Sequence, residues 1–415
     1  PSQQYGRRER LRHGDAHLRE RGAPFGVGVG EAPQVGEQVD APLAHLGLVV
    51  FRGLGDGEND GGEAMYRGQR LTGAEAMRRA GIERLIPGPK EGLAMTNGAQ
   101  LTAAVTALCC FDAWNLVHGA EIAAALAFEA LRATTRALHP AVHELRPFPG
   151  AIRTAATLRR LLAGSALADS VPDKIQDAYS LRCTPQVLGA VRDAVAYASR
   201  QVSVEINAAT DNPLILVDED EPNKAFSAGL FHGEPVGFAA DHLKLALCEA
   251  AALSERRTYR MTTGDLSSRL PPLLVDGPGV GLMMPQVAAA ASVASARQLM
   301  FPSSADTVPT CEDQEDHVAM STTAARRAYD VLKLAEQVVA IEVLCAVRAI
   351  RMRQKGGPDV ALGAGTGPVF ALLHPQLGNE APADDIAIVL RHLRDGSLVA
   401  AATAAVGELA PVADA

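Results

Sequence analysis

The stretch VAMSTTAARRAYDVLKLAEQVVAIEVLCAVRAIRMR, residues 318–353, decides the architecture. Val331, Leu334, Ala335, Val338, Ile341 and Cys345 recur at spacings of three and four, which puts them on one side of a helix. The run closes on Arg348, Arg351 and Arg353, cations that complement the negative end of a helix dipole. At about 1.5 Å per residue such a helix spans about 50 Å, more than a small domain needs, so it is expected as a pillar of a bundle or of an oligomer.

Working outward, residues 239–262 repeat the pattern with Leu243, Ala246, Leu247, Ala250 and Leu253. Alanine-rich residues 99–134 suit close helix approach, with Phe111 and Trp114 as the bulky exceptions, and from residue 97 onward the chain reads as long helices. Leu214–Val217 and Leu273–Val275 are candidate strands, each bounded by proline or glycine. Residues 218–237, 263–285 and 355–368 read as glycine- and proline-rich loops. A helix is expected over Asp384–Arg394, within a peripheral layer formed by residues 354–415. The fold class is therefore mainly α, a long-helix bundle with polar residues carried on loops.

Composition narrows the function. The 415 residues are 47% hydrophobic, enough for a sizeable core, and the net charge of −9 supplies no positive field for nucleic acid. Six cysteines (Cys109, Cys110, Cys183, Cys248, Cys311, Cys345) lack metal-ligand spacing and suit a reducing cytoplasm, the expected location. No signal peptide is evident and the apolar runs are interrupted by polar residues, so no membrane role is expected. The chain starts at Pro1, and an N-terminally incomplete sequence is expected. Residues 1–40 read as a poorly structured segment, distinct from a helical domain over 41–415. Gly26–Gly30 has glycines like a phosphate loop but neither a preceding strand nor the Lys and Ser/Thr that such a loop needs, and it reads as linker.

Five separated segments concentrate amides, carboxylates, an arginine and a tyrosine beside turn residues. They are Thr96-Asn97-Gly98, Gln176 to Cys183, Asn207 with Thr210 to Pro213, Phe231 to Pro235, and Gln314 to His317. Singly, each is explained by a turn or a helix start. His232 and His317 have no partner at finger or helical spacing, so structural hydrogen bonds are expected of them and no metal site.

Together, GPKEGLAMTNG (88–98), IQDAYSLRCTPQV (175–187), EINAATDNPLI (205–215), GLFHGEPV (229–236), LSERR (253–257) and DQEDHVAM (313–320) resemble the histidine ammonia-lyase family. The resemblance runs from about Ala41 to Arg353. It implies a bundle of the ammonia-lyase/fumarase-like type and a homotetramer in which several subunits build each site. It also implies elimination of ammonia from an amino acid without external cofactor, through an internal methylidene-imidazolone made from Ala-Ser-Gly. By the same resemblance Asn97 and Tyr179 donate hydrogen bonds to the electrophile's oxygen, and Arg182 clamps the substrate carboxylate with help from Gln176. Phe231 packs over the substrate, and Glu315 accepts a hydrogen bond from its side chain. A carboxylate at 315 favours L-histidine, giving urocanate, over phenylalanine or tyrosine, because an apolar ring offers it no donor.

Three departures stand out. Gly36, Glu37 and Gln38 occupy the tripeptide positions, and Glu37 has no hydroxyl to lose as water, so the electrophile is not expected to form. Tyr5 lacks the surroundings of the family's catalytic base, and no base is named. Leu230 and Ser295-Ala296-Arg297 replace residues usual in relatives. Residues 1 to about 39 are open to two readings: an out-of-frame translation, or a true loss in a non-catalytic relative that keeps the pocket.

Overall fold

The structure, a computed structural model, describes residues 62–83, 88–94, 96–355, 360–379 and 381–409. The segment expected to be unstructured, the linker at Gly26–Gly30 and the tripeptide positions 36–38 lie outside them, as does the expected boundary at residue 40. The chain divides into two compact units, residues 1–89 and 90–415. In the first, strands β1 (Glu63–Tyr66) and β2 (Gln69–Thr72) form an antiparallel hairpin followed by helix α1 (Gly73–Ala80). Arg67 and Gly68 both take positive φ at its two-residue turn, the geometry that matches strand twist. No strand was expected there, since the Arg-Gly turn is a weaker signal than Asn-Gly.

The second unit is a helical bundle. It comprises α2 (Glu91–Ala94), α3 (Gln100–Ala130), α4 (Pro140–Glu144), α5 (Pro149–Leu161), α6 (Tyr179–Arg182) and α7 (Thr184–Glu205). After them come α8 (Glu234–Thr262), α9 (Met283–Leu299), α10 (Ser321–Gln354), α11 (Thr366–Leu373), α12 (Pro382–Arg394) and α13 (Ser397–Val406). The three longest helices, α3, α8 and α10, run parallel. At one end the Thr102 hydroxyl meets those of Ser321 and Thr322, at 3.2 and 3.1 Å, and Gly233 packs on Ser321. At the other, Arg353 donates to the carbonyls of Ala130, Ser267 and Ser268, drawing the C-terminal ends together. Helices α7 and α9 run the opposite way: the Thr184 hydroxyl and the Arg257 guanidinium share the Ser180 carbonyl, and Lys244 reaches Phe301 just past the end of α9.

The long helix expected over 318–353 is α10, but it is not merely amphipathic. Every residue from Val338 to Val347 is buried, so α10 is the central pillar and its middle is covered all round. Leu334, placed on the core stripe, is only half-buried. Helix α3 is the one described helix long and apolar enough to cross a membrane; from Gly119 to Ala130 it is buried without interruption among the other helices. Of the candidate strands, Leu214–Ile215 (β3) pairs with Ala225–Phe226 (β4). Leu273–Val275 is not a strand. Pro271 and Pro272 offer no N–H for a ladder, and Leu273 and Leu274 take φ of 53° and 51° in a 3-10 turn over Pro272–Leu274. The three loops end sooner than expected because α8, α9 and α11 begin inside them.

Two fully buried ion pairs tie the pillars. Arg257 of α8 meets Glu342 of α10 in a two-pronged contact whose Nη2 arm is 2.8 Å, and Arg192 of α7 meets Glu121 of α3 at 2.8 Å. Burial would raise the Glu121 carboxyl, yet Arg192 and His118 hold it below its ordinary range. Breaking a buried pair leaves an uncompensated charge, so Glu342→Ala is expected to lower unfolding free energy by about 3–5 kcal/mol. Arg256→Ala, which loses a partly exposed pair with Glu255, is expected to cost under about 1 kcal/mol. Urea denaturation of both variants checks this; equal losses would contradict it.

Candidate active site in two halves

The parallel pillars sort the candidate residues by helix end. At the N-terminal ends, Asn97 lies in the turn before α3, its backbone N–H bonded to Leu93 and its carbonyl accepting from Gln100. Gly233, which starts α8, fits against both Ala99 and Ser321: an added Cβ would stand 3.2 Å from the Ala99 methyl and 2.5 Å from the Ser321 hydroxyl. That contact brings the Asn97 turn, the Phe231-His232-Gly233-Glu234 segment and the loop before α10 into one corner. His232 closes it, its Nε2 lying 3.2 Å from the His317 carbonyl oxygen.

Glu315 sits on the same loop, exposed. Backbone bonds in both directions pair it with Thr310, and the Thr310 hydroxyl donates to its carboxylate at 2.5 Å. Between them Cys311, Glu312 and Asp313 all take positive φ, a strained turn for non-glycine residues. The Thr310 and Cys311 side chains hold Glu315 below the ordinary carboxylate range, so it is ionised at neutral pH and can accept a hydrogen bond.

The second group lies at the opposite end. Tyr179 and Arg182 are the first and last residues of α6, and Ser180 between them is bound by Arg257, near the C-terminus of α8. Glu234 and Arg257 are 23 positions apart on one helix, about 35 Å along its axis. Within one protomer, then, Gln176, Tyr179 and Arg182 do not meet Asn97, Phe231 and Glu315. The Arg182 guanidinium stacks 4.7 Å over the Tyr179 ring, and its buried Nε has no hydrogen-bond partner among the described residues. Gln176 and Tyr179 are exposed. Asp177, which no site role was expected of, anchors the segment by accepting from the Thr134 backbone N–H at 2.7 Å and pairing with Lys174.

The Asp211-Asn212-Pro213 segment is structural. Lys90 bridges Asp211 and the Pro213 carbonyl at 2.8 Å each, and the Asn212 side chain accepts from the Ala228 N–H.

Comparison with known proteins agrees with this architecture. The family described as aromatic amino acid lyase matches residues 34–374. The chain belongs to that family. It is 42% identical over 373 residues to the histidine ammonia-lyase of Gloeobacter violaceus, covering 89% of this chain and 70% of that protein. The solved histidine ammonia-lyase of Trypanosoma cruzi superimposes with a TM-score of 0.76 at 32% identity, over 88% of this chain and 68% of that one. The tyrosine aminomutase of Streptomyces globisporus does so at 0.77 and 31%, over 89% and 73%. Some histidine ammonia-lyases are covered over as little as 60% of their length. The bundle and the long pillars expected from the sequence are thus those of this family.

Since the Thr310 hydroxyl is the main cause of the low Glu315 pKa, Thr310→Val is expected to raise it toward the ordinary carboxylate value. A carboxyl-carbon NMR titration reads this directly, and an unchanged midpoint would remove Thr310 from that role.

Proposed function

We propose that this chain carries the substrate framework of a histidine ammonia-lyase, a carbon–nitrogen lyase that eliminates ammonia from L-histidine to give urocanate. The carrying observation is Arg182: a guanidinium whose buried Nε has no partner among the described residues, braced on Tyr179, suits a carboxylate ligand. Gln176 precedes it by six residues and positions the same carboxylate. Glu315, ionised and aimed from a rigid turn, accepts the N–H of an imidazole, while Phe231 covers the ring and Asn97 offers its amide. An aromatic substrate such as phenylalanine or tyrosine has no ring N–H for Glu315, which argues against that alternative.

The two halves lie about 35 Å apart in one protomer, so a complete site requires the Arg182 end of one copy beside the Glu315 end of another. A homotetramer with shared sites satisfies this.

The family's methylidene-imidazolone does not fit this chain. Closing that ring requires a serine that loses water and a glycine nitrogen that attacks, and Gly36-Glu37-Gln38 supplies neither. The chain as given therefore has no electrophile of its own: either residues 1 to about 39 are an out-of-frame translation belonging to an active ammonia-lyase, or the loss is true and the chain is a non-catalytic copy or a subunit beside an intact one.

Incubated with L-histidine, the chain is expected to bind it by calorimetry without growth of urocanate absorbance. Arg182→Ala is expected to weaken binding about 10–100-fold, the worth of hydrogen bonds to a charged group. Steady urocanate formation would overturn the electrophile argument, and unchanged affinity would overturn the clamp. Replacing residues 36–38 by Ala-Ser-Gly is expected to restore ring closure, seen as loss of water in the intact mass. For site sharing, Arg182→Ala and Glu315→Ala chains co-assembled as a mixture are expected to regain about a quarter of the intact histidine sites, since random pairing unites two sound halves that often. Sites confined to single protomers would regain none.

A further inference from the structure

We propose that His232, Glu234 and His317 form a binding site for a divalent transition-metal ion of the zinc class, at the corner where α8 begins. One ligand atom from each lies within 4.8 Å of the others, so an ion at their centre would stand within about 2.8 Å of all three, against the about 2.0–2.1 Å of a zinc–nitrogen bond. Two imidazoles and one carboxylate are a donor set that suits zinc and its neighbours rather than calcium or magnesium, which favour oxygen.

Two features of the three side chains point to a ligand beyond their proximity. Glu234 has an oxygen, Oε2, that is buried without any hydrogen-bond partner among the described residues. As the first residue of α8 its carboxylate stands at the positive end of a 29-residue helix. The second feature is the orientation of His232. Its Nε2 donates to the His317 carbonyl at 3.2 Å, which leaves the lone pair on Nδ1. A metal-bound histidine commonly donates its other ring N–H to a carbonyl, which fixes tautomer and ring together. The two imidazole rings lie 5.6 Å apart and are tilted by 31°, side by side rather than edge to face.

The spacing explains why no metal was expected at His232 and His317 from the sequence, an expectation that the proposed site reverses. His232 and Glu234 are two residues apart across a helix start, and His317 follows 83 residues later, so no finger or helical repeat links them. A bound ion would pin the loop bearing Glu315 and its strained 311–313 turn to the start of α8, and would add to stability by mass action. The site shares none of its three ligands with the histidine-binding residues, so its existence stands or falls separately from that reading.

Titration of the full chain with Co2+ tests it. Visible d–d bands typical of nitrogen-ligated cobalt are expected, lost on addition of Zn2+, together with paramagnetic shifts of the His232 and His317 ring protons. His317→Ala and Glu234→Gln are each expected to weaken Co2+ binding at least about ten-fold. Cys311→Ser, which removes the exposed thiol on the same loop, is expected to leave it unchanged. Absence of bands at millimolar Co2+, ring protons that do not shift, or binding that survives both ligand substitutions would overturn the proposal. The first two readouts use the unaltered chain, so a variant that fails to fold does not leave the question open.

Discussion

The contact on which most of this architecture hangs is the buried pair between Arg257 and Glu342. Both side chains are fully removed from water, and a charge in that position is tolerated only when its partner is matched in geometry as well as sign. The guanidinium fork spans both carboxylate oxygens and uses a further arm, at 3.4 Å, on the Ser180 carbonyl. One residue thereby fixes the axial register of α8 on α10 and holds the short helix that carries Tyr179 and Arg182. An apolar contact between the pillars could slide by a turn at little cost; a paired ion cannot.

The parallel run of α3, α8 and α10 has an electrostatic consequence. Three helix N-termini meet at one corner, where Glu234 begins α8, and three C-termini at the other, where Arg353 lies. Arg353 satisfies three carbonyls at that second end, and burial, with Arg132 nearby, lowers its pKa to about 10. On the proposed reading, a site needing a cation for a carboxylate and an anion for an imidazole draws Arg182 from one end and Glu315 from the other. Such a site cannot close within a single rod of about 35 Å, so the proposed site would need two copies.

Much of this was legible before any coordinates. The 3.6-residue period of α8 and α10 gave their existence, and the six matched stretches gave the family. Less visible were features that depend on where distant segments meet. LSERR looks like a surface run until Arg257 is seen buried on Glu342; sequence cannot say which of two adjacent arginines turns inward. The proline-bounded Leu273–Val275 has strand-forming residues, but its backbone turns left-handed to seat Leu274 in the core. The resemblance implied a site shared between subunits, but not which residues fall at which end: helix length is readable, whereas relative direction requires the end contacts of Thr102, Gly233 and Arg353.

On the proposed reading, loss of the tripeptide and retention of the framework are compatible because they draw on different energies. Holding Arg182 in place depends on Arg257, Asp177 and the stacking on Tyr179, all of which also stabilise the fold. Shaping Glu315 depends on a local turn closed by Thr310. Ground-state recognition of an amino acid uses the clamp and the acceptor alone, whereas acceleration requires interactions that strengthen only in the transition state. On that reading a chain without the electrophile still recognises histidine, because the clamp and its supports are held by the same contacts that hold the bundle.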